Sequence, residues 1–309
     1  MMDKPYHVPV LCKEVAERLI TDIEGIYIDG TLGGGGHAGY ILQILSPRAK
    51  YIALDLDTEA ISFAKKQLKQ YKNISFFQSN FRDTEKILSG ADIPSADGLL
   101  LDLGVSSHQI DEADRGFSYL QDGQIDMRMN KNEFESARDL LNKRDVEELS
   151  DIFYHFGEER NARKIARLIV AQREKEPLVR AEQLRAILDK TSHPRYVIKS
   201  YARVFQALRI AVNNELDNLQ YILQSGLKFI KPGGRIAVIA YHSLEDRIVK
   251  NFFRKKANPC VCPPDFPVCV CRLKPEIKII TRKPVKPSEQ EIKENSRARS
   301  ALLRVGEVI

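Results

Sequence analysis

The chain has 309 residues, which at roughly 150 per domain means about two domains or one with a large insertion. Hydrophobic residues make up 43% and charged residues 29%, a balance that excludes a mostly disordered chain. No apolar run approaches the roughly 18 residues needed to span a bilayer. The start, MMDKPYHVPVLCKEV, lacks the basic and apolar regions of a secretory signal, so a cytoplasmic location is expected. The net charge of +6 is unevenly placed. Residues 1–250 carry 35 basic and 36 acidic side chains, residues 251–309 carry 13 and 6, and residues 160–209 alone carry 13 and 4. Two basic zones on a near-neutral body fit a polyanionic partner such as nucleic acid, and they also fit solvated helix faces.

In chain order, GIYIDG (25–30) reads as a strand, followed by a glycine run and a helix over about 37–45. KYIALDLD (50–57) is a second strand. Thr58 is a candidate N-cap for a helix reaching about Tyr71, with Ile61, Ala64 and Leu68 at helical spacing. NISFFQ (73–78) is a third strand, and a short helix near 84–88 leads to ADGLLLDLG (96–104), apolar enough to be buried on both faces. Strands alternating with helices predict parallel βαβ units in an open, doubly wound α/β sheet. From about 108 to 203 the pattern holds only polar loop and helices. A long amphipathic helix over 204–230 then leads through PGG into the strand RIAVIAYH (235–242) and a helix over 243–256, for which Ser243 and Asp246 loosely meet a capping box. The expected organisation is a Rossmann-like domain in two parts, 1–107 and 204–309, the second ending in a basic tail, around an inserted all-helical domain, 108–203.

Four constellations have chemistry to offer. TLGGGGHAG (31–39) joins a strand to a helix, and its glycines let the backbone turn tightly and a ligand approach without a Cβ in the way. Gly34, Gly36 and Gly39 satisfy GxGxxG, and Asp55 ends the next strand, where it can take ribose hydroxyls. This signals a nucleotide or nucleoside without saying which, and it also fits a nicotinamide-dependent dehydrogenase. Asp102 in LDLGVSSHQ (101–109) ends the fourth strand on the same edge, with a turn-capping Asp as the lesser alternative, while Ser106, Ser107 and Gln109 fit turn residues equally well. His242, after Tyr241, is either a base-binding group or a helix cap. Cys260, Cys262, Cys269 and Cys271 form two CxC pairs whose thiolates suit a structural zinc or are simply reduced cysteines in a surface loop. No other metal site is expected.

DGTLGGGGHAG, ALDLD, QSNF, LDLGVSSHQ, the RGFSY to DMRMN stretch, RVFQALRIAVNNEL, GGRIAVIAYHSLEDR and PSEQEIKENSRARSALLR together closely resemble the bacterial ribosomal RNA cytosine-N(4) methyltransferases of the MraW type. The resemblance runs from His7 almost to the C-terminus. It implies a class I methyltransferase that uses S-adenosylmethionine to methylate the exocyclic amine of one cytidine of 16S rRNA near the decoding centre. It places the cofactor residues at Gly35, Gly36, His37, Asp55, Phe81, Asp102 and Gln109. Asp102, with Tyr241 or His242 holding the base, is the candidate catalytic group, since an aromatic-type amine needs an N–H acceptor to localise its lone pair. The usual Pro-Pro-aromatic after the strand-end Asp is replaced here by Leu103-Gly104-Val105. Carbon-5 methylation would need a cysteine nucleophile near the fourth strand, and the one Pro-Cys step, Pro259-Cys260, lies far beyond it. The implied partner is the small ribosomal subunit or its RNA, bound through the basic zones. A homodimer is left open, and a non-catalytic RNA-binding assembly factor on the same fold is the alternative outside catalysis.

Overall fold

The computed structural model describes residues 9–263 and 270–309. Along the chain it runs α1 (Cys12–Leu19), β1 (Ile26–Asp29), α2 (Gly36–Ile44), β2 (Lys50–Asp55), α3 (Thr58–Gln67), β3 (Ile74–Gln78), α4 (Thr84–Gly90) and β4 (Ala96–Asp102). The helices α5 (Ser107–Asp111), α6 (Ala137–Lys143), α7 (Val146–Gly157), α8 (Ala162–Arg173), α9 (Ala181–Asp189) and α10 (Val197–Asn213) follow without a strand between them. The sheet resumes after α11 (Glu215–Phe229) with β5 (Ile230–Ala240), α12 (Ser243–Ala257), β6 (Ile277–Ile279), α13 (Glu289–Glu294) and β7 (Leu302–Val308). The chain divides into two compact units: the described residues up to Gly104 together with 216–309, and Val105–Glu215.

The first unit is a seven-stranded sheet in the order β3-β2-β1-β4-β5-β7-β6 with helices on both sides. Strands β1 to β5 are parallel, and β7 and β6 close one edge antiparallel. The β4 residues 96–101 are all buried, as a strand covered on both faces requires. The direction of winding reverses at β1, between β2 and β4, and in such sheets ligands lodge beyond the carboxyl ends of the strands at that switch. The second unit has its own apolar core, built from residues such as Leu149, Phe153, Ile165, Ile169, Leu184, Val204 and Leu208.

Several local expectations are corrected. Asp57, not Thr58, caps α3 by accepting from the Glu59 N–H at 3.0 Å. The long helix over 204–230 is two helices, because Asn214 turns left-handed at φ 51° and ends α10. Asn tolerates that conformation better than most side chains, so it works as a stop signal inside an apolar periodicity that otherwise runs through. The basic tail is not a tail. Its end is β7, with Leu303 and Val305 buried and Arg304 paired through Nε and Nη2 with both oxygens of Asp246 at 2.6 and 3.1 Å. Lys278 and Arg235 both engage Glu307. Lys256, Lys278 and Arg304 of this basic stretch are thus engaged in ion pairs within the unit.

Candidate active site

Three acids, Asp29, Asp55 and Asp102, end the adjacent strands β1, β2 and β4 and so share one rim of the sheet. The glycine loop is stitched to them. Asp29 accepts the Thr31 N–H at 3.1 Å, and Asp55 accepts the Gly33 N–H at 2.7 Å and the Asp57 N–H at 2.8 Å. Thr31 Oγ1 accepts the Asp102 N–H at 2.6 Å. The glycines have different reasons to be glycine. At Gly35 (φ 81°) a Cβ would press on Leu68 and Ala64, and at Gly36 on Pro9, so protein packing already fills those faces. At Gly33 (φ 53°) a Cβ would meet only the Thr31 carbonyl, at 4.0 Å, which leaves that face open to a ligand. Burial pushes the carboxyls of Asp29 and Asp55 up to about 6, against the hydrogen bonds they accept.

Asp102 is held from two sides. The Tyr241 hydroxyl donates to Oδ1 at 2.9 Å, and His37 Nε2 lies 3.3 Å from Oδ2. The His37 contact is off the line of a good hydrogen bond, so charge rather than direction holds the pair. Burial works against a proton on His37, yet Asp102 and the Cys12 sulfur, 3.6 Å from Nδ1, outweigh it and raise the imidazole well above its usual range. An imidazolium in the first turn of α2 opposes the helix dipole, which makes the buried carboxylate the deciding partner. Burial, then the Asp102 charge, keeps the Tyr241 phenol protonated and donating. Tyr51 donates to the second oxygen of Asp29 at 3.1 Å. The result is a connected, partly buried network from Cys12 through His37 and Asp102 to Tyr241.

His242 is the N-cap of α12, its Nδ1 accepting from the Glu245 N–H at 3.4 Å, so the cap sits one residue before the expected Ser243. Glu245, fully within the fold at 2% exposure, returns Oε2 to the backbone N–H groups of Tyr241 and His242 at 2.8 and 3.3 Å. Its Oε1 lies 3.1 Å from His242 Nε2. An open cavity of about 430 Å³ adjoins this turn, lined by Tyr241, His242, Ser243, Arg247, Lys250 and Leu302 among others. Phe81 opens a 3₁₀ turn just after β3 and is half-buried. Gln109 lies in the other unit, where it and Ser106 cap α5 reciprocally at 3.0 and 3.2 Å. Asp29, Thr31, Gly33 and Glu245 lie within the motifs read from sequence but were given no individual role there, and Cys12 was given none at all. Glu245 alone carried a readable signal, as the third residue of a helix after a polar cap. Of the four clustered cysteines, Cys260, Cys262 and Cys271 come together, and Cys269 lies outside the described residues.

The sequence profile of the MraW methylase family matches residues 4–309. The chain belongs to the MraW methylase family. Two relatives carry the name Ribosomal RNA small subunit methyltransferase H. The one from Clostridium botulinum (strain Loch Maree / Type A3) is 46% identical over 97% of each chain, and the one from Halothermothrix orenii is 48% identical over 97% of this chain and 98% of the relative. Among solved structures, an rRNA methylase from Streptococcus thermophilus aligns over 100% of this chain and 99% of its own with a TM-score of 0.43 and 12% identity. Membership in a methylase family sets aside the dehydrogenase that the glycine spacing also allowed. Among the described residues no helix is long and apolar enough to cross a membrane.

Proposed function

We propose that the chain is an S-adenosylmethionine-dependent methyltransferase acting on small-subunit ribosomal RNA, and that its target is the exocyclic N(4) amine of a cytidine. The observation that carries this reading is Asp102, a buried acid at the rim of the switch point, gripped by His37 and Tyr241 beside a glycine turn. The site suits the cofactor by its donor set. Gly33 leaves an open face in the loop, Asp55 offers carboxylate oxygens for ribose hydroxyls, and Phe81 offers an apolar surface for adenine. Gly35, Gly36, His37 and Gln109 complete the cofactor set that the family resemblance implies, the first two through their backbone. When bound, S-adenosylmethionine supplies an electrophilic methyl group.

The protein's task is then positioning and electrostatics. A cytosine amine is a poor nucleophile because its lone pair is conjugated into the ring. Asp102, with about four acceptor sites for its hydrogen bonds, takes an amine N–H alongside the Tyr241 and His37 contacts and localises that pair toward the methyl group. His37 and Tyr241 fix the carboxylate's orientation before the substrate arrives. Tyr241 and His242, at the mouth of the adjoining cavity, hold the base. A stacked, paired cytidine cannot enter such a rim, so the substrate is single-stranded or extruded.

The helical unit supplies the phosphate grip. On α8, Arg163, Lys164 and Arg167 recur at helical spacing and are exposed, as is Arg160 in the turn just before the helix, while Ala162, Ile165, Ala166 and Ile169 face inward. Arg163 pairs only distantly, at 3.8 Å, with exposed Glu147. The test is transfer of labelled methyl groups from S-adenosylmethionine to small-subunit RNA, followed by nucleoside digestion and mass spectrometry. N(4)-methylcytidine is the expected product. A 5-methylcytidine product or no incorporation contradicts the proposal.

A further inference from the structure

Between α12 and β6 the chain makes an excursion that the methyltransferase site does not use. Its base is tied: the Glu276 N–H donates to the Lys256 carbonyl at 2.9 Å, and Lys256 Nζ pairs with the Glu276 carboxylate at 2.6 Å. Above that tie, the sulfurs of Cys260, Cys262 and Cys271 lie within 4.8 Å of one another. Packing does not explain this. Among the described residues, the neighbouring Val261, Val270 and Leu273 are 73%, 64% and 50% exposed, so their burial does not gather the thiols.

Two details fit metal ligation. Four sulfurs at about 2.3 Å from a tetrahedral zinc stand about 3.8 Å apart, and Cys260 Sγ and Cys271 Sγ are separated by 3.9 Å. The sulfur of Cys262 accepts two backbone N–H groups, from Val270 and Cys271, both at 3.3 Å. Amide donors converging on a sulfur are the outer-shell contacts that orient a metal-ligating cysteine. Arg272, directly after the third cysteine, has a φ of 55°, so the backbone bends back at that point without a glycine to make it cheap.

We propose that Cys260, Cys262 and Cys271 bind a structural zinc ion, which clips the excursion shut and fixes its stem between α12 and β6. Thiolates in this number select zinc or another soft metal over magnesium or calcium. The ion ties together chain segments separated in sequence, and cross-linking a loop lowers the entropy it can gain by opening. The role is independent of methyl transfer, because none of the three cysteines belongs to the Asp102 network.

The experiment uses the full chain purified under reducing conditions. Elemental analysis should find one zinc per chain, and zinc should be released on thiol modification. Replacement by cobalt should give a thiolate-to-cobalt charge-transfer band and the intense visible bands of tetrahedral coordination, whose pattern also tells whether sulfur or water fills the fourth position. Cys260→Ser combined with Cys271→Ser should abolish both signals. Should that variant not fold, wild-type stoichiometry and the cobalt spectrum still decide. Wild-type protein without stoichiometric zinc and with only weak octahedral cobalt bands overturns the proposal. So does a Cys260–Cys271 disulfide, seen by mass spectrometry in freshly prepared protein.

Discussion

The charges at the rim of the sheet and those along α8 are put to opposite use. At the rim, Asp29 and His37 are buried and Asp102 nearly so, and His37 and Asp102 fix one another's position. On and just before α8, Arg160, Arg163, Lys164 and Arg167 stand in solvent. A buried charge is costly to leave unpaired and weakly screened, so it holds geometry; an exposed charge contributes little to stability and is screened by salt, so it is suited to gathering a polyanion. In the proposed function the rim therefore governs the rate of the chemical step and α8 governs affinity.

The sharpest way to break that division is at Asp102. Asp102→Ala should lower the single-turnover rate by about 100-fold or more, the scale of removing one preorganised electrostatic partner, with RNA affinity nearly unchanged. A rate within twofold of wild type ends the Asp102 role. Replacing Arg163, Lys164 and Arg167 with Ala should do the reverse. RNA affinity should fall by about tenfold or more at about 0.15 M salt, the salt slope should shrink by about two, and the saturated rate should hold. Filter binding across a salt series checks both numbers, and affinity indifferent to salt contradicts the phosphate grip. Tyr241→Phe removes one hydrogen bond to a charged oxygen and should cost about tenfold in rate.

The smallest effect is a pH dependence. Asp55 accepts ribose hydroxyls best when ionised, so cofactor affinity should climb as pH rises through about 6. Asp55→Asn should remove the inflection and Asp29→Asn should keep it, which separates two carboxyls shifted alike. The stability sign is opposite. Both groups hold a proton more tightly folded, near 6, than unfolded, near 3.8, so the stabilisation from protonation is full below 3.8 and is lost as pH rises through 6. Urea denaturation of the two variants across pH 4 to about 7 reads this directly.

The rim was legible because it is local. A strand signal, four glycines and two strand-end acids fall into place once βαβ units are recognised, and Asp55 and Asp102 do end β2 and β4. The Cys12–His37–Asp102–Tyr241 network was not legible, since its members come from four separate elements and nothing in their spacing foretells contact. His37 and Asp102 were named for their motifs, not for their pairing. The basic C-terminal stretch misled for a related reason: charge was read before alternation, and LLRVGEV is a strand with one internally paired arginine. At Asn214 a single left-handed residue broke a helix that periodicity alone extends.

The most direct test of the central claim is calorimetric titration of the purified chain with S-adenosylmethionine near pH 7.5. The account predicts one site per chain, with affinity weakened about tenfold or more by Asp55→Ala through loss of charged hydrogen-bond acceptors. Folded wild-type protein that takes up no S-adenosylmethionine would contradict it.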